Sequence, residues 1–213
     1  MWHARSMVAA WGVLLPLGAL AARYFKVTRR QRWPQELDNP GWWHCHRWGQ
    51  SFGVLLACGG LGLAWGNGGG ASALALWHHW AGWSVMLLGL FQIGSGLVRG
   101  SKGGPTAPTM RGDHYDMTPW RCWFERLHKG LGWLALLMSV GVIGSGLVLA
   151  DAPRWMPLVL VAWWVLLAAL AVHWQRSGRC IDTYQAIWGP DPTHPGNRMA
   201  PIGWGIHRPT EYR

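Results

Sequence analysis

Charge is scarce in this chain. Of its 213 residues only 13% are Asp, Glu, Lys or Arg, and acidic residues number 9 against 19 basic ones. Phe and Tyr number four each, whereas Trp numbers 19, Gly 30, and half the chain is hydrophobic. So little charge with so much Trp excludes an ordinary soluble domain. Cysteine is sparse as well. Cys45, Cys58, Cys122 and Cys180 fall within apolar runs or basic segments, which gives no expectation of a structural disulfide.

The uncharged stretches are long. No Asp, Glu, Lys or Arg occurs in 6–22, 48–98, 130–150 or 155–175. A bilayer core of about 30 Å needs about 20 apolar residues per helix. The second run is twice that length, and Gly-Asn-Gly-Gly-Gly-Ala-Ser at 66–72 divides it by a turn. Five membrane helices are expected, near 4–24, 43–65, 76–98, 125–150 and 155–174. The fold class is therefore all-α integral membrane: a four-helix bundle plus a fifth transmembrane helix over 1–175, then a Pro-, Gly- and Trp-rich tail over 176–213. The first span could be a signal peptide, but a basic cluster follows it and His3 belongs to the pattern below.

The basic residues are distributed by side. Arg23, Lys26, Arg29, Arg30, Arg32 and Arg47 flank one loop, Arg99, Lys102, Arg111, Arg121, Arg126 and Lys129 another, and most of the rest lie in the tail; only Arg5 and Arg154 fall on the opposite side. Cytoplasmic loops retain Lys and Arg, so the N-terminus is expected outside and the tail inside an inner (plasma) membrane. The charge of +10 then reflects topology and lipid contact. No soluble nucleic-acid module is present to use it.

Residues 78–98, HHWAGWSVMLLGLFQIGSGLV, recur fifty residues on as HKGLGWLALLMSVGVIGSGLV. His3, His46, His78 and His128 each open one of the first four helices. Alternating helix direction pairs His3 with His78 outside and His46 with His128 inside. Paired imidazoles across a bundle suit the axial positions of a haem iron. Zinc normally wants three or four clustered ligands. The repeat favours His78 over its neighbour His79, while His114, His173, His194 and His207 lack partners in the pattern. No Cys-x-x-Cys-His occurs, which excludes covalent c-type attachment. Eighteen residues after each histidine, at the same azimuth, stand Ala21, Ala64, Gly96 and Gly146. These small residues are expected to clear space for the haem at the other end, although small residues also serve ordinary helix packing. Arg5 and Arg154 are expected to meet the outer haem's propionates. Gln92 is expected to bond a neighbouring helix.

The stretches SMVAAWGVLLPLGALAARYFK after His3, NPGWWHCHRWGQ with His46 and Gln50, HHWAG with His78, and HKGLGW with His128 resemble the transmembrane cytochrome b561 family, especially the core coupled in plant proteins to a DOMON domain. The resemblance covers roughly residues 3–174 and suits a stand-alone member of bacterial type. It implies two non-covalent b haems, each held by two histidines paired first with third and second with fourth. It also implies transmembrane electron transfer between small-molecule or protein donors and acceptors, as in ferric- or ascorbate-type reductases, with Arg23 and Lys26 in an inner basic cluster. A haem-bearing anchor subunit exchanging electrons with quinone, with a partner protein at the tail, is the alternative. A non-redox membrane scaffold or transporter is the alternative of another class.

Overall fold

The computed structural model describes residues 2–66 and 70–209. Part of the expected turn at 66–72, and Arg213 of the basic tail, lie outside the described residues. Five long helices follow in order: α1 (Trp2–Tyr24), α2 (Gly41–Ala64), α3 (Ala73–Leu97), α5 (Pro119–Leu149) and α6 (Trp155–Arg176), with the one-turn α4 (Asp113–Asp116) between α3 and α5. The protein is an all-α membrane protein. Four of these helices are long and apolar enough to cross a bilayer. Helix α2 is not among them, because its first turns carry His44, His46, Arg47 and Gln50. Its 24 residues nevertheless extend about 36 Å, and it packs along α1.

Local chemistry sets the helix ends and one internal shift. Ser72 caps α3 by accepting from Ala75 N at 3.2 Å, and Thr118 caps α5 with Pro119 in its first turn. Val8–Leu14 in the middle of α1 is π-helical. Pro16 has no N–H to offer the Gly12 carbonyl in an α-helical frame. The indoles of Trp163 and Trp164 donate to that oxygen at 3.0 and 3.3 Å, docking α6 on α1.

The helices associate as two antiparallel pairs, α1 with α2 and α3 with α5. Their shared core contains Ala10, Trp11, Leu15, Val54, Ala57, Val85, Met86, Ala135, Ile143 and Leu160. Outward-facing Leu55, Leu87, Leu137 and Val165 are all more than 60% exposed, as lipid-facing side chains are in a chain seen without its bilayer.

The tail, which shows no helical period in sequence, is folded onto the loops. Helix α7 (Thr183–Trp188) is capped by Asp182 and buries Tyr184, Ala186, Ile187 and Trp188. Trp33 donates from its indole to Gln185 O at 3.2 Å, and Tyr184 donates its hydroxyl to Tyr115 O at 2.8 Å. Trp188 fills the space beside Gly104, where any Cβ would overlap its ring. Arg208 ties the last described segment to Asp182 at 2.5 Å.

Candidate functional site

The structure brings the four expected histidines together as two pairs. The rings of His3 and His78 lie 6.5 Å apart between centroids, and those of His46 and His128 lie 6.1 Å apart. In both pairs the ring planes are nearly perpendicular, at 82° and 77°. Each pair joins a ring from one antiparallel helix pair to a ring from the other.

Every Nδ1 is held from the neighbouring helix. His3 donates to Gly60 O at 2.9 Å and His46 to Gly18 O at 3.1 Å, so α1 and α2 hold each other's rings through glycine carbonyls. His78 donates to Val142 O at 3.1 Å and to Ser145 Oγ at 3.0 Å. His128 meets Ser95 Oγ at 3.0 Å. The Ser95 and Ser145 hydroxyls are themselves spent on the Gln92 and Val142 carbonyls. Their oxygens are thus left as acceptors for Nδ1–H. At His3, His46 and His78, where a carbonyl oxygen accepts from Nδ1–H, this tautomer leaves the Nε2 lone pair free. Ser95 and Ser145 stand at the same place in the repeated Ile-Gly-Ser-Gly-Leu-Val, and each serves the histidine of the other copy.

The glycines near these rings divide unequally. A Cβ on Gly146 would lie 2.9 Å from His78 Cε1, so this glycine makes room for the His78 ring itself. A Cβ on Gly96 would meet nothing within 4 Å. Gly18 and Gly60 are close-approach points, where a Cβ would lie 2.5 Å from Gln50 Nε2 and 2.8 Å from Ser6 Cβ. Ala21 and Ala64 are half-buried near the far ends of α1 and α2. The Gln92 amide reaches across to α5, one end 2.8 Å from His128 Nδ1 and the other 3.1 Å from Gly132 N.

The cations are placed differently from the sequence expectation. Arg23 is engaged by the tail: it donates to Gln175 Oε1 at 3.0 Å and Trp204 O at 2.9 Å, and stacks 3.7 Å from the Trp204 ring centroid. Arg5 is exposed and lies over Trp2, and Arg154 is exposed at the start of α6. Two other cations are desolvated beside His46 without a carboxylate partner among the described residues. Lys26 is 7% exposed, donates to Ile181 O at 3.0 Å and Arg23 O at 3.3 Å, and is pushed by burial and by Lys129 down to about 8. Arg99 lies 3.9 Å over Trp43, whose ring is 6.3 Å from His46, and burial lowers it to about 10.

His44 and His79 are exposed, as is His173. His114, by contrast, is 2% exposed between Tyr184 and Trp188, and burial followed by Arg121 lowers it to about 3. It is neutral at physiological pH, so its 3.5 Å approach to Glu125 Oε1 is not an ion pair. Among the described residues no three His, Cys, Asp or Glu side chains converge as a metal-binding group.

Sequence reasoning missed Ser95 and Ser145, although the duplicated motif displays both. It also missed the Gly18 and Gly60 carbonyls, which no side-chain pattern announces.

No family model and no solved structure matches the chain. A cytochrome b561 and DOMON domain-containing protein of Arabidopsis thaliana is 29% identical over 146 residues, covering 68% of this chain. The chain spans about a quarter of that protein's length, 27%. With an all-helical membrane fold and two facing histidine pairs beside this likeness, the chain is similar to a cytochrome b561 protein over two thirds of its own length.

Proposed function

We propose that the chain carries electrons across the membrane between two b-type haems, one held by His3 and His78 and the other by His46 and His128. The observation that supports it most is the arrangement of the four rings: they face in two pairs, every Nδ1 is held from the neighbouring helix, and at His3, His46 and His78 a carbonyl acceptor commits Nδ1 as the donor and leaves Nε2 free. A metal–imidazole bond of about 2.0–2.1 Å plus the roughly 1.1 Å from ring nitrogen to centroid separates two collinear axial rings by about 6.3 Å. The observed 6.5 and 6.1 Å bracket that value. His3 with His78, and His46 with His128, would each hold one haem, which would supply a one-electron iron couple suited to electron transfer.

The chain's own residues do the rest. The Gly18, Gly60 and Val142 carbonyls hold the rings of His46, His3 and His78 in the ligating tautomer, and Ser95 and Ser145 help to orient the rings of His128 and His78. Gly146 gives the His78 ring its place, and the open space at Gly96 fits a flat apolar plate. Lys26 and Arg99 supply buried positive charge for the carboxylates of the inner group, and Arg5 and Arg154 are the basic groups available outside. The basic loops support an N-terminus outside and a tail in the cytoplasm of an inner membrane. Electrons would pass between the inner and outer sites, linking a small-molecule or protein donor on one side of the membrane to an acceptor on the other.

The test is a reduced-minus-oxidised spectrum with haem quantitation on wild type and on four His→Ala variants. The expected result is two haems, with one spectral component lost in His3→Ala and His78→Ala and the other in His46→Ala and His128→Ala. Colourless wild-type protein overturns the proposal, and a variant keeping both haems removes its residue from the ligand set.

A further inference from the structure

Halfway between the two histidine pairs the membrane core holds a single buried aromatic side chain. Trp11 stands eight residues after His3 and seven before Gly18, whose carbonyl holds His46. At about 1.5 Å per residue it is level with the midpoint of a gap of roughly 22 Å along α1. It is 5% exposed and is the one aromatic among the buried residues of that core. Its Cζ2 and Cη2 occupy the place of a Cβ on Gly89, at 3.0 and 3.1 Å, and Val54 touches the same spot. Gly89 and Val54 lie mid-way along α3 and α2, so the ring reaches from α1 toward both.

The indole is kept there at a cost. Its Nε1 is buried with no hydrogen-bond partner, a desolvation cost that an aliphatic side chain would avoid. Trp163 and Trp164, docked nearby, each have the Gly12 oxygen as acceptor. Packing alone is met as well by Leu or Met, and the surrounding core is built from such residues.

We infer that Trp11 is the bridge for electron transfer between the two sites. The inference rests on the di-haem reading above. A conjugated ring couples two redox centres better than saturated side chains of the same length, because its orbitals lie closer in energy to the transferring electron. One electron leaves the reduced inner centre and arrives at the oxidised outer centre. The indole ends each transfer neither oxidised nor reduced, and no proton moves.

The test uses the full chain loaded with haem. Cys45 is exposed and adjoins His46, while Cys122 and Cys180 are buried. In a Cys58→Ala background a thiol-reactive ruthenium photoreductant on Cys45 delivers an electron to the inner site, and absorbance follows its arrival outside. Haem content and both midpoint potentials are measured on the same samples. Trp11→Leu and Trp11→Met are expected to keep two haems and both potentials yet slow arrival several-fold, and Trp11→Phe to stay near the wild-type rate. Arrival at the wild-type rate in Trp11→Leu and Trp11→Met, or equal slowing in Trp11→Phe, overturns the bridge. Wild-type protein holding fewer than two haems overturns the di-haem reading instead, a result visible before any kinetics.

Discussion

Gly146→Ala is the smallest change that separates a ligand-positioning glycine from a packing one. The added Cβ lies 2.9 Å from His78 Cε1, short of ordinary contact by at least half an ångström. The ring cannot yield freely, because Val142 O and Ser145 Oγ hold its Nδ1 at 3.1 and 3.0 Å. Movement of about 0.5 Å is already the tolerance of a preorganised site. Overpacking of this kind costs about 1–3 kcal/mol, and each 1.4 kcal/mol is about tenfold in affinity. Haem titration followed by absorbance is therefore expected to show the outer site weakened roughly five- to 140-fold with the inner site unchanged. Gly96→Ala, the equivalent change in the other copy, meets nothing within 4 Å of protein and is expected to leave the thermal midpoint of the haem-free chain unmoved. Wild-type affinity at both sites of Gly146→Ala would refute the assignment of this glycine to the ring.

Three further outcomes follow from the geometry. Ser145→Ala is expected to weaken haem binding at His78 and Ser95→Ala at His128, each by about 10- to 100-fold; loss at the histidine of the same copy would contradict the exchange of partners. His114 has a folded-state value near 3 against about 6.5 when unfolded, so the unfolded state binds the proton first. Stability is then expected to fall as pH drops from about 6.5 toward 3, and thermal melts of His114→Gln are expected to show a shallower slope over that window than wild type. Replacing Trp163 and Trp164 together by Phe leaves the Gly12 oxygen without indole donors and is expected to lower stability by about 1–3 kcal/mol, read as earlier proteolysis between α5 and α6.

The long helices were legible because charge is excluded from bilayers: the uncharged runs end close to where the helices end. Helix α5 begins at Pro119, earlier than its apolar run, since Arg121 and Glu125 are buried and pair with each other at 3.1 Å. The pairing of histidines followed from helix alternation, and the choice of His78 over His79 from the repeat. Ser95 and Ser145 were hidden by their surroundings, where a small residue between glycines reads as helix packing. Arg23 was legible as a cation but not as a partner of Trp204, because that contact spans 181 residues. The tail was illegible for the same reason. Its six-residue α7 is held by Trp33, Tyr115 and the loops, and six residues carry too little periodicity to declare themselves.

The crossed serines also set an order of assembly. The partner of His78 is Ser145, and the partner of His128 is Ser95. A ribosome that has just released α3 has made three of the four rings' supports, Gly18, Gly60 and Ser95, but neither Ser145 nor the His128 ring that Ser95 meets. The latch on His78 closes only after 67 further residues have been synthesised and α5 has entered the bilayer beside α3. Both histidine pairs therefore wait for α5: a chain interrupted before residue 128 lacks the second ring of one pair and the Ser145 latch of the other.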